Sequence, residues 1–158
     1  MKQVTIDNLE LLLYPFDIPE GCTISLCKEG LPMSDYCKQY LTDKNFGTKL
    51  PKDPVAGGFY DMKARFESYD GINAIQKFAT QTGRKLRVGT ALELLLFWMQ
   101  KRVHCPKCFV ALGSVWDGKV LYWYGDCAEF RLDHWVGKWN EFYQVFFVED
   151  LEPPSTPS

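Results

Sequence analysis

The chain has 158 residues, a formal charge of -2, and 46% hydrophobic, 15% aromatic and 24% charged side chains. This length predicts one domain built on one core, and the composition excludes a disordered chain. With no basic excess, nucleic acid is not the expected partner, although Lys77, Arg84, Lys85 and Arg87 mark a local basic patch.

The first apolar segment, Val4 to Leu13, ends at Pro15 and fits a short strand or a helix, with helix-like or irregular packing favoured. It carries Asp7 and Glu10 and has no readable signal-peptide pattern, so a cytoplasmic protein with six reduced cysteines is expected. Cys22-Thr-Ile-Ser-Leu-Cys27 alternates after Gly21 and reads as a strand closed by Gly30 and Pro32. Met33 to Leu41 suits one or two helical turns, and Thr42 to Gly58 reads as a long surface connection.

Ser68 or Asp70 is placed to cap a helix with Ile72, Ile75, Phe78 and Ala79 on one stripe, and Gly83 suits its C-terminal end. Thr90-Ala-Leu-Glu93 is a capping box, followed by Leu92, Leu95, Leu96 and Met99 at core spacing and by Lys101 and Arg102 at the cation-favouring end. The apolar run Ala91 to Met99 contains Glu93 and falls short of the ~20 residues needed to span a membrane, so it predicts a core helix.

After Pro106 the period changes to two. Phe109 to Trp116, Lys119 to Tyr124, Glu129 to Asp133 and Phe142 to Val148 predict four strands, with Asp117-Gly118 as a hairpin turn. The order predicts an α+β domain over 1–151, with a helical first half, a closing antiparallel meander and a frayed tail over 152–158.

Cys105-Pro-Lys-Cys108 offers two thiolates at zinc-binding spacing, and Cys127 and His134 are the candidate third and fourth ligands. Packing cysteines and a redox pair are the competing readings; the motif follows a helix instead of opening one, so a helix N-terminus that would acidify a thiol is missing. Gly57-Gly58 lacks the companions of a phosphate loop. Aromatic residues interleaved with charges over the last third have the composition of a recognition surface. Its candidate ligand-binding residues are Tyr122, Tyr124, Asp126, Glu129, Arg131, Asp133, Trp135, Lys138, Trp139 and Asn140, of which strand alternation lets about half share a face.

The segment Gly83-Arg-Lys-Leu-Arg-Val-Gly-Thr90-Ala-Leu-Glu93-Leu-Leu-Leu-Phe resembles the Thr-capped helix of formylglycine-generating-enzyme-like and C-type lectin-like domains. Ala111-Leu-Gly-Ser-Val-Trp116, Leu121-Tyr-Trp-Tyr124, Phe130-Arg-Leu-Asp-His-Trp135 and Tyr143-Gln-Val-Phe-Phe-Val148 are similar to its terminal strands. The same stretch resembles the variable proteins of diversity-generating retroelements and small bacterial candidate-phyla proteins sharing a Leu-Gly-Ser-Val-Trp segment. The chain departs from that pattern at Gly89, where proline is usual, and it lacks the calcium motif of sugar-binding lectins.

The resemblance implies a C-type lectin-like fold, with two helices packed on the meander. The expected function is non-enzymatic binding of a protein or small ligand, on a surface open to retroelement diversification. A zinc-stabilised interaction domain is the alternative, and a thiol or copper-dependent oxidase of the formylglycine type the third reading.

Overall fold

The computed structural model describes residues 2–6, 9–47 and 55–151. The N-terminal apolar segment forms a hairpin of β1 (Lys2–Ile6) and β2 (Leu9–Phe16), which corrects the helix-like expectation. Leu11 and Leu13 are buried while Leu12 between them is exposed, the two-residue period of a strand.

Cys22 to Cys27 is also corrected, from strand to helix: α1 is Ile24–Cys27, with the Thr23 hydroxyl accepting from the Leu26 amide at 3.2 Å. The remaining donors of that first turn are met from afar. Asp43 accepts from the Ile24 amide at 2.8 Å and the Ser25 amide at 3.4 Å, and from the Ser25 hydroxyl at 2.7 Å, so a carboxylate sits where the helix dipole favours it. Two further short helices, α2 (Asp35–Tyr40) and α3 (Asp43–Phe46), are capped by Ser34 and Thr42. The expected connection over Thr42 to Gly58 therefore contains a helix and the start of a buried strand, β3 (Val55–Asp61), in which Gly57 and Gly58 lie.

A short strand, β4 (Phe66–Glu67), leads into α4 (Ser68–Thr82). Its cap is Glu67, with Asp70 returning the capping box, so Ser68 is left free for another task; Gly83 ends the helix with φ +69°. After β5 (Leu86–Val88), α5 (Ala91–Lys101) starts from the expected Thr90 and Glu93 box. Every residue from Ala91 to Trp98 is buried, whereas Met99, expected in the core, is 50% exposed.

β6 (Cys108–Trp116), β7 (Lys119–Tyr124) and β8 (Glu129–His134) form the antiparallel meander read from the sequence. Asp117 and Gly118 both have positive φ, at 49° and 67°, the pair of values a tight primed hairpin turn requires. A two-residue strand, β9 (Lys138–Trp139), pairs with β4. The last strand, β10 (Tyr143–Asp150), does not extend the meander. It runs antiparallel to β3 on one side; on the other, β6 pairs in parallel with Tyr143 to Val145, and β5 takes over at Phe147 to Glu149. The expectation of a helical first half and a purely antiparallel closing meander is corrected accordingly: the first half supplies strands to the same large sheet, in the order β1-β2-β3-β10-β6-β7-β8.

Both faces of this sheet are covered. Phe146 and Val148 join α1 and α5 in one apolar cluster, while Val145 and Phe147 join Ile75 and Phe78 of α4 in the other. A central strand buried on both faces loses the alternating signal expected of a half-exposed one. Among the described residues, no helix is long and apolar enough to cross a membrane. The tail over 152–158 lies outside the described residues.

Candidate functional site

The register of β7 on β8 places Tyr122 opposite Arg131, Tyr124 opposite Glu129 and Val120 opposite Asp133. Side chains alternate along a strand, so these six share one face, while Leu121, Trp123, Phe130 and Leu132 point to the other. On that same face stands an aromatic floor. The ring centroid of Tyr122 lies 5.5 Å from Trp139 and 5.8 Å from Tyr143, and those two are 5.2 Å apart, all edge to face. Tyr122 and Trp139, expected to meet a ligand, are 8% and 5% exposed. Their rings are buried against one another and Tyr143, which leaves little of either surface to meet a ligand.

Above that floor, Arg131 is held from two sides. Its Nε donates to Glu129 Oε1 at 2.7 Å, and its guanidinium carbon sits 4.5 Å from the Tyr124 ring centroid. The hydrogen bond to Glu129 pushes the guanidinium pKa up, so the charge is permanent. Asp133 is exposed beyond it and accepts from the His134 amide at 2.7 Å.

The neighbouring loop is pinned by Ser68. Its hydroxyl donates to the Trp135 carbonyl at 2.7 Å and accepts from Trp139 Nε1 at 2.9 Å. The Trp135 amide donates to the Gly118 carbonyl at 2.6 Å. Trp135 is thereby fixed, half-buried, beside a cavity of about 220 Å³ that Glu67, Ser68, Tyr69, Val136 and Lys138 also line. Tyr69 and Val136 are 61% and 80% exposed there, and sequence reasoning missed both.

Of the other expected residues, Asp126 lies in the β7–β8 turn in a 3.0 Å ion pair with Lys107, which holds its carboxyl below the usual range. Asn140 accepts from the Phe142 amide at 2.9 Å and shapes the turn into β10. Lys138 is exposed on β9 opposite Glu67. The residues brought together are therefore Tyr124, Glu129, Arg131, Asp133 and, at their margin, Trp135.

The alternative zinc ligands are not brought together. Cys105 packs against the α5 side of the sheet, while Cys108 is buried in the cluster on the other side. Cys127 lies in the β7–β8 turn and His134 at the far end of β8, with the whole strand of about 16 Å between them. Among the described residues, no three His, Cys, Asp or Glu side chains are grouped to hold a metal. Burial pushes the Cys105 thiol up to about 12, and its Sγ donates to the Lys101 carbonyl.

A second concavity that the sequence did not signal lies on the α5 side: about 490 Å³, lined by Trp98, Arg102, Cys105, Pro106 and Trp123 and walled by Gly30 to Pro32. The Arg102 guanidinium covers the Trp98 ring at 3.9 Å. The expected basic patch is largely neutralised. Arg84 pairs with Glu149, and Arg87 makes bidentate bonds to Glu93 at 2.7 Å while also reaching Asp150.

No family model, curated protein or solved structure matches the chain.

Proposed function

We propose that the chain is a non-enzymatic binding module of C-type lectin-like fold that recognises a protein or small ligand through the β7–β8 face and its Trp135 margin. One observation carries the reading: the strand register gathers Tyr124, Glu129, Arg131 and Asp133 onto one face above a rigid aromatic floor. A fixed cation, two carboxylates and aromatic edges are the materials of noncovalent recognition. Holding them on paired strands limits the ordering cost that binding would otherwise carry.

The fold assignment is supported by the Thr90 capping box, by the meander that follows it, and by a final strand that returns to pair with β3 from the first half. Retroelement diversification of this face belongs to the same proposal. Side chains above a finished core can vary without disturbing it.

A display library randomised at Tyr124, Glu129, Arg131, Asp133 and Trp135 tests the binding face. Most members are expected to fold, and binders to unrelated targets to be selectable. Loss of folding in most members would make these residues structural and end the proposal. Diversification is tested at the gene locus. A near-copy of the segment encoding Trp116 to Asp150, differing mainly at adenines and lying beside a reverse transcriptase, is expected; its absence removes diversification and leaves the binding face to the library.

A further inference from the structure

The cap that makes α1 a helix also brings two thiols into contact. Thr23 is the N-cap, so Cys22 occupies the position before the cap and Cys27 is the fourth helical residue. A side chain before the cap meets the fourth helical residue in the hydrophobic staple, which fixes the angle at which a chain enters a helix. Here both members carry sulfur. Their Sγ atoms lie 2.7 Å apart, with Cys22 half-buried and Cys27 5% exposed.

Two other thiols are engaged elsewhere. Cys37 Sγ donates to the Met33 sulfur at 3.9 Å, and Cys105 Sγ donates to the Lys101 carbonyl at 3.7 Å. We propose that Cys22 and Cys27 are an oxidisable pair that closes to a disulfide across α1 when a low-molecular-weight disulfide such as oxidised glutathione is present. This goes beyond the binding reading and does not depend on it.

The reaction runs by thiol–disulfide exchange. The half-buried Cys22 thiolate attacks one glutathione sulfur, the reagent's S–S bond breaks, and one reduced glutathione leaves. The Cys27 thiolate then attacks Cys22 Sγ of the mixed disulfide and expels the second. The protein loses two thiol protons and two electrons, and the reagent's disulfide becomes two thiols. In the reduced pair, burial, and then the adjacent Cys22 and Asp43, push the Cys27 thiol up to about 12; each exchange step needs a thiolate, so closure accelerates as pH rises. The bond ties the loop after β2 to the last turn of α1, where Ile24 and Cys27 pack in the same cluster as α5. Gly30 to Pro32, which follow α1, wall the Trp98 groove.

The sequence makes the test direct. No Lys or Arg lies between Gln3 and Cys27, so trypsin releases both cysteines in the peptide Gln3 to Lys28, which contains no other cysteine. Reduced native protein is treated with oxidised glutathione at pH 7 and pH 9, alkylated with iodoacetamide and mapped by mass spectrometry. The expected result is that peptide lighter by two hydrogens (about 2 Da) and unalkylated, appearing faster at pH 9. In Cys22→Ser the same peptide is expected to carry one alkylated or glutathionylated cysteine and no internal loss. Two alkylated cysteines in the treated wild type, or Cys22 linked to a cysteine of another peptide, would overturn the proposal.

Discussion

At the scale of single residues, Gly89 shows how one position is fixed by its neighbours. Its amide donates to the Phe146 carbonyl at 3.0 Å and its carbonyl accepts from the Gly113 amide at 2.8 Å, so it stitches the cap of α5 to β10 and β6. Proline here would remove the first of those bonds. A Cβ at this position would overlap the buried Phe146 ring. Gly89→Ala gains some stability from a stiffer unfolded chain, but overpacking a filled core outweighs it. The expected net loss is about 2 kcal/mol by chemical denaturation.

Arg87 is the second such residue, because Glu93 is fully buried with its carboxylate shared between the Thr90 amide and the Arg87 guanidinium. Arg87→Met would leave that carboxylate without its cation. The expected cost is about 3 kcal/mol, at the low end for a broken buried pair because a third of the Arg87 side chain reaches water. Thermal melts of Arg87→Met beside Arg87→Lys check this, with lysine recovering only part of the loss because it cannot make the bidentate pair.

At the scale of elements, α1 is decided by a residue far along the chain. Read locally, Cys22 to Cys27 alternates like a strand, yet Asp43 supplies acceptors to the Ile24 and Ser25 donors and makes a helix the better-satisfied state. Burial pushes the Asp43 pKa up, but the Ser25 hydroxyl, the Ile24 and Ser25 amides and Lys28 together outweigh it, and the net shift is below the ordinary 3.8. A carboxyl depressed in the folded state stabilises above its unfolded value and loses that contribution as pH falls through its folded one. The stability gap between wild type and Asp43→Asn should therefore be full at pH 6 and shrink steadily below 3.8. Urea midpoints measured from pH 6 to pH 2 test it, and a gap constant across that range would show that Asp43 does not act through its charge.

The binding face has the same character. The aromatic and charged residues, the hairpin turn and the three strands were legible, since each is a local period or turn preference. Which aromatics line the floor was not. Tyr122 and Tyr124 share a strand face, yet Tyr122 is covered by Trp139 of β9 and Tyr143 of β10, and Tyr124 is left half-exposed against Arg131.

On the scale of the whole molecule, β10 is the strand on which the sheet depends. It pairs with β3, β5 and β6 and contributes to both apolar clusters. A chain ending at Glu141 is therefore expected to show no cooperative thermal transition. The complete chain is expected to melt in one transition followed equally by tryptophan fluorescence and far-UV circular dichroism. A folded truncated chain would mean that the first strands hold together without β10.

What the sequence determined by itself is whatever depends on neighbours within a few positions: the Thr90–Glu93 box, the Gly83 stop, the Asp117-Gly118 turn and the strands β6, β7 and β8. Tertiary structure alone decided the rest. It made a helix of α1 through Asp43 and placed β10 between β3 and β6. It separated Cys105 from Cys108 across the sheet and sorted displayed aromatics from buried ones. The reason is physical: hydrogen-bond acceptors, strand partners and covering side chains come from segments distant in the chain, and no local pattern encodes which of them will arrive.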